Sequence, residues 1–403
     1  MLINLRNALM TGKRLPYDAE VEYLESTGMQ WIDTGVYATE NTRVKIAFSD
    51  YTQSGAWLFG ARRGFQNAAL GIYTNANTAE NRWLRAFGNF ISSGFTFSTV
   101  DLGVSTFDYD CGHFTGTREK VPITVKFTDT ASAFDSSPYN IYLWTVNLAG
   151  TPGAISSAKI YATQIWQNGV LVRDFIPVRK GSTGYLYDRV SGKLFGNAGT
   201  GDFVLGPDVV PVEWLGCDGS QYIDTKVVAT DSHGFRVDIE AAKKTVDVNT
   251  RIFGAHEGNV RCGFALYGEP PSDDYFWVWN EATGFRATIP QRFVVSLNYK
   301  NDRAAIFNGT TNLSQLGTLG SMTQSVYLLN ANYGNAPFAN QFVVGKFYGA
   351  EITVGSDVVN HYIPVRVGTE GAMMDTLTRR IYRNQGTGAF TYGNDLKYPI
   401  PAS

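Results

Sequence analysis

The stretch "VEYLESTGMQWIDTGV", Val21 to Val36, returns as "VEWLGCDGSQYIDTKV", Val212 to Val227. Tyr23/Trp214, Leu24/Leu215, Gln30/Gln221, Ile32/Ile223, Asp33/Asp224 and Thr34/Thr225 all pair at an offset of 191. Further on, Val44/Val237 and Ile46/Ile239 pair at 193, and "LFGA" (58–61) meets "IFGA" (252–255) at 194, with Tyr73 set against Tyr267. Tyr142 meets Tyr327 at 185, while "IPVR" (176 and 363) and "NAGTGDF"/"NQGTGAF" (197 and 384) pair at 187. The order never breaks and the offset drifts by a few residues, which is the pattern of a tandem duplication. A period this long is far above the roughly 20–50 residues of solenoid repeats, so each copy is expected to be a domain with its own core.

Gly206, Pro207 and Pro211 punctuate the junction "LGPDVVPVEW" as a short extended linker. The expected organisation is an N-terminal segment 1–19, a first domain 20–207, a second domain 208–396 and a tail 397–403. In the first segment Leu2, Leu5 and Leu9 sit at helical spacing with Ile3 and Met10, and Gly12 ends the run, which predicts a short helix. So short a helix is marginal alone in water. It packs on the first domain, anchors the chain in a larger assembly, or is a disordered tail.

Inside each copy the period is two. Val44, Ile46 and Phe48 alternate with Arg43, Lys45 and Ala47, and Val237 and Ile239 with Arg236, Asp238 and Glu240. That alternation predicts half-buried strands, as do "VPITVKF" (121–127) and "FVVSLNY" (293–299). "KIYATQIWQNGVLVRDF" reads as a hairpin turning at Asn168-Gly169, the pair suited to type I′; copy 2 has Gly355-Ser356 there, suited to type II′. Short strands with frequent turns, 42 Gly and 14% aromatic residues point to all-β domains, each a two-sheet antiparallel sandwich.

These residues resemble a family. "EYLESTGMQWIDTG", "AKIYATQIWQNGVLVRDFIPVR" and "GYLYDRVSGKLFGNAGTGDF" are similar to the concanavalin A-like, LamG-type jelly-roll domains of gut bacteria and their phages, over residues 20–206 and, more loosely, 211–395. The resemblance implies two tandem jelly rolls, each of two curved sheets. It also implies recognition of glycans or proteins through loops or a concave face, sometimes with calcium. Fold alone does not fix function, since such sandwiches serve in lectins, adhesins, glycosidases and virion fibres.

The chemistry is therefore read from residues. Charge nearly balances, 34 basic against 36 acidic, with no basic run, which argues against a nucleic-acid groove. No apolar run approaches the roughly 20 residues of a membrane span. The N-terminus lacks the elements of a secretory signal, so synthesis in the cytoplasm is expected, with association to a virion or surface after release. Cys111, Cys217 and Cys262 are too few and scattered for a disulfide framework, and the four histidines show no metal spacing. The glucanase pattern of alternating carboxylates is closest at "RVDIE", but Arg236 stands where the first Glu is required and copy 1 has Arg43, Lys45 and Ala47. No nucleophile elbow, phosphate loop or Cys/His pair appears, so no enzymatic activity is expected. Asp33 and Asp224 are either ligand or calcium carboxylates or turn residues bonding their own backbone, and Asp188 and Asp375 carry the same two readings. No dense calcium loop is visible, and no cofactor is expected.

Ligand residues are sought where the copies differ. "DDYFWVWN" puts Trp277 and Trp279 on one strand face, with Asp273, Asp274 and Asn280 beside them for sugar hydroxyls. Copy 1 offers Trp83 and Arg85 in "NRWLRAFGN", with Trp57, Arg62 and Arg63 near in sequence. The expected function is non-catalytic recognition or adhesion, with a glycan or cell-surface ligand, displayed on a phage particle or bacterial surface. The alternatives are a structural virion component, a head fibre or tail decoration docked through residues 1–19, and a glycoside hydrolase.

Overall fold

The computed structural model describes residues 15–396 apart from 52–54, 65–68, 75–81, 89, 97–102, 119–124, 129–137, 242–249, 259, 269–273, 279–282, 287–289, 300–303, 315 and 317. For some strand residues, Trp83 and Trp277 among them, it describes the backbone alone. Every regular element among the described residues is a β-strand. The proposed N-terminal helix and the tail 397–403 lie outside the described residues.

Two compact units form, Arg14–Asp208 and Val209–Ser403. In the first, one antiparallel sheet runs in the order 125–128, 113–118, 105–110, 42–49, 157–167, 170–180, 183–188, 193–195. The second sheet runs 90–96, 82–88, 69–74, 57–62, then 140–143 and 32–37. The other unit has the same two orders: 310–313, 304–307, 293–298, 233–241, 344–354, 357–367, 370–375, 381–382, and 283–286, 274–278, 260–268, 250–257, 325–328, 223–228. Each unit is thus a two-sheet antiparallel sandwich of the jelly-roll type.

The period-two reading explains the cores. Thr42–Ser49 and His233–Ala241 bury every second side chain. Val44, Ile46 and Phe48 meet Phe59, Phe107, Phe114 and Phe175 between the sheets, while Val237 and Ile239 meet Phe253, Phe264, Val295 and Phe347. Each such side chain contributes about 1.5–3 kcal/mol on burial.

Both hairpins turn as their residues require. Asn168 and Gly169 take φ of 50° and 75°, the two positive values of type I′, whereas at Gly355-Ser356 only Gly355 is positive, at 65°, as type II′ demands. Of the strand expected at 121–127, Val125–Thr128 is described and paired; residues 121–124 lie outside.

Positions that match between the copies make matching bonds. Thr34 Oγ1 donates to the Ile141 carbonyl at 2.7 Å and Thr225 Oγ1 to that of Val326 at 2.6 Å. Asn197 Oδ1 accepts from Trp31 N and Gly199 N, and Asn384 Oδ1 from Tyr222 N and Gly386 N. Fully buried Asp188 accepts from Asp174 N, Val190 N and both Ser191 donors. Asp375, equally buried, accepts from His361 N, Leu377 N, Asn360 Nδ2 and Thr378 Oγ1. Arg179 forks onto Asp208, and Arg366 onto Asp395. Asp188 and Asp375 close turns, the local bonding Asp favours.

Two details differ from the sequence reading. Tyr17 packs on Ile176 and Val178, Asp18 N bonds the Arg179 carbonyl and Ala19 opens a strand, so the first unit begins before residue 20. Register also sets Gly60 against Gly71 and Gly254 against Gly263. The second of these hairpins is two residues shorter, which makes Ala265, not Tyr267, the counterpart of Tyr73.

Candidate functional site

The second sheet of each unit has one face on the core and one facing outward. On the outward face of Val209–Ser403, strand Thr250–Glu257 presents Arg251 and His256 on either side of Gly254. His256 is the cross-strand partner of Arg261, and Arg251 that of Ala265. Directly opposed residues share a face, so the two arginines and the histidine lie on one surface.

Phe338 and Tyr333 join them. After the strand Ser325–Leu328 the chain takes a positive φ at Leu329 (65°) and returns parallel to Thr250–Glu257, opposing Tyr333 to His256. Ring centroids of His256 and Tyr333 lie 4.8 Å apart, of Tyr333 and Phe338 4.7 Å, and His256 is parallel to Phe338 within 8°. The Arg251 guanidinium carbon sits 4.2 Å from the Phe338 centroid and its Nε donates to Gln341 Oε1. Tyr333 is 52% exposed, so its ring is open to a ligand, while Arg251 is 6% exposed and lies against Phe338.

Electrostatics follow from this crowding. Burial, then the charge of Arg261, lowers the Arg251 pKa to about 9. Burial, then Arg261 and Arg251, holds His256 below its ordinary value, and a bond from Nε2 to the Gly258 carbonyl at 2.8 Å puts its proton on Nε2.

Trp277, expected in the binding face, lies on strand Asp274–Val278 at the register position beside Ala265, which in turn opposes Arg251. Asp274 begins that strand opposite Gly268. Asp273, Trp279 and Asn280 lie outside the described residues.

The candidates of the first unit separate. Trp57 is 4% exposed on the outward face, stacked on Tyr73 at 4.5 Å with the Arg62 guanidinium 5.2 Å from its ring. Its indole lies flat on the sheet: a Cβ on Gly60 or Gly71 would meet it at 3.0 or 2.9 Å. Arg63 is exposed. Arg85 points the other way, 3% exposed and 5.9 Å from the core ring of Phe114, while its neighbour Ala86 packs with Trp57. Trp83 sits between Thr74 and Phe95 in register.

The remaining acidic candidates are engaged. Asp33 Oδ1 accepts from Gly35 N and Oδ2 from Asn140; Asp224 accepts from Lys226 N, Lys226 Nζ and Ser325 Oγ. Among the described residues no three His, Cys, Asp or Glu side chains gather to hold a metal ion. In "RVDIE" Asp238 takes a forked bond from Arg292, and Glu240 meets Lys346 and Tyr348. All three cysteines are free thiols; Cys217 and Cys262 are buried and Cys111 half-buried. A cleft of about 510 Å³ opens between Ala229–Ser232 and Leu319–Met322, with Thr230, Asp231, Ser232 and Ser321 on its wall.

Sequence reasoning passed over Arg251, His256, Tyr333 and Phe338. The signal lay beside the matched "LFGA" and "IFGA", where Trp57 gives way to Arg251 and Arg62 to His256. The two aromatics come from a segment some 80 residues downstream that only the sheet brings back.

No family model matches the chain, and no curated protein does. Among solved structures, it is similar to domains LG4–5 of mouse laminin α1, at 12% identity and TM-score 0.29, over 86% of this chain and 92% of that one. It is similar to a Bacteroides ovatus protein proposed to bind carbohydrate, at 11% and 0.31, over 96% of both chains. A third likeness is the K499G mutant of NanB sialidase from Streptococcus pneumoniae, at 10% and 0.26, over 94% and 83%. These are remote likenesses, and the functional reading stands on the residues of the face itself.

Proposed function

We propose that the protein is a non-catalytic recognition protein that binds glycan on the outward face of the Val209–Ser403 sheet. The observation that carries this reading is the exposed Tyr333 ring, backed by His256 and Phe338 beside two guanidiniums. A sugar sets its apolar C–H face on such a ring and its hydroxyls on the polar rim. The Asp238–Arg292 and Glu240–Lys346 pairs support a role without catalysis, since each carboxylate already has a cation partner. Display on a phage particle or bacterial surface, with the segment before Leu15 for attachment, belongs to the same proposal and is supported by the sequence. Calorimetry of the full chain against a polysaccharide panel tests it. Binding to at least one polymer, weakened several-fold in Tyr333→Ala and in Trp277→Ala, is expected. No binding to any polymer, or release of reducing ends from one, overturns it.

A further inference from the structure

The geometry points to a ligand bearing an anionic group: the outward face of Val209–Ser403 takes a carboxylated or sulfated saccharide at His256, Arg261, Tyr333 and Phe338, with the buried guanidinium of Arg251 adding its charge. This rests on the glycan reading above and adds the charge of the ligand.

Three basic residues meet on one small surface. His256 and Arg261 oppose each other directly across two strands, and Arg251 lies on the same face one glycine away. The charge of Arg261 presses on Arg251, so the two guanidiniums of this face repel each other in the free protein. An arriving anion relieves that repulsion, so the face selects for negative charge before any hydrogen bond forms. The charges that press on His256 are both positive, Arg261 and Arg251.

The first unit supplies an internal contrast. By register, Arg251, His256 and Arg261 correspond to Trp57, Arg62 and Ala69: three basic side chains against one. The exposed Tyr333 argues for a sugar carrying the anion rather than a bare ion, because a free phosphate or carboxylate gains nothing from an open ring. A nucleic acid is the wrong shape of charge, since phosphate binding needs a track of cations and the chain carries −2 overall.

The test uses the full chain and four polymers: polygalacturonate, its carboxyl-reduced form, dextran sulfate and dextran, by calorimetry at low and high salt. At least one charged polymer is expected to bind about tenfold tighter than its uncharged partner, the gap closing as salt rises. Which of the two it is tells carboxylate from sulfate. Arg261→Gln should remove the preference and Arg261→Lys should keep it, both at unchanged melting temperature; Tyr333→Ala should weaken every polymer alike. Equal binding of charged and uncharged forms overturns the anionic inference and leaves the glycan reading standing. So does polyglutamate competing as well as polygalacturonate, which would mark an acidic protein partner. Failure to bind any of the four, while another polymer of the panel binds, overturns the anionic inference alone; failure across the whole panel removes the glycan reading itself.

Discussion

At one register position, on the outward face of the same sheet, one unit carries Trp57 and the other Arg251. The surroundings follow suit. Trp57 has Tyr73 stacked beside it across the strand pair, while Arg251 has Ala265, and the aromatic contact comes from Phe338 instead. The first arrangement is a closed apolar layer with Ala69, Ala86 and Val146. The second is a cationic surface with an open ring. The turns beneath show no such divergence, since Asp188 and Asp375 tie their loops with the same oxygens in the same places. A sheet face can change its chemistry cheaply because alternate side chains leave the core untouched, whereas a buried acceptor with several donors cannot.

The largest expected effect concerns what the units share. Asp188→Ala and Asp375→Ala each strand buried donors and should each cost about 3–4 kcal/mol of their own unit's stability, read by urea unfolding of the full chain. Costs that differ by more than about half would break the claim of a common framework. Next, Trp57→Ala should cost about 3 kcal/mol and leave polysaccharide affinity unchanged, as expected of a packed layer. Lost affinity with intact stability would instead make that face a second binding surface. Gly71→Ala and Gly263→Ala place a Cβ 2.5 Å from the carbonyls of Phe59 and Phe253 and should destabilise by about 1–3 kcal/mol alike.

The smallest effect sharpens the comparison through pH. Burial raises Cys262 from 9.0 to about 12, and Tyr161 from 10.0 to about 12. Each folded pKa lies above the unfolded one, so the stabilisation is complete below the unfolded value and is lost as pH rises toward about 12. That loss should begin near pH 9 in both units, from Cys262 and Cys217 in Val209–Ser403 and from Cys111 in Arg14–Asp208, with Tyr161 adding to the latter from near pH 10. Cys262→Ser should make the loss in Val209–Ser403 shallower without moving its onset, which Cys217 still sets, as followed by tryptophan fluorescence. In native protein at neutral pH a thiol reagent should label half-buried Cys111 before buried Cys217 or Cys262.

Much of the sandwich was legible because its determinants are local. Val44, Ile46 and Phe48 alternate with polar partners, and Asn168-Gly169 and Gly355-Ser356 permit only the turns that they form. The turn carboxylates were half legible: the sequence left Asp33, Asp188, Asp224 and Asp375 open between a ligand role and a turn role, and their donors come partly from distant strands. The face was not. Trp57 and Arg85 were grouped as candidates of one face, yet they stand on different strands and point to opposite sides of one sheet. Tyr73 and Tyr267 matched as letters, but a hairpin two residues shorter hands Tyr73's place to Ala265.

By itself, then, the sequence determined two all-β sandwiches, their strand faces and their tight turns, because the period of hydrophobic residues and the φ preferences of Gly and Asn act over a few bonds. Only the tertiary structure decided that Arg251, His256 and Arg261 share a surface with Tyr333 and Phe338. That surface is made by strand register and by a chain reversal at Leu329, and both depend on contacts between residues far apart in the chain.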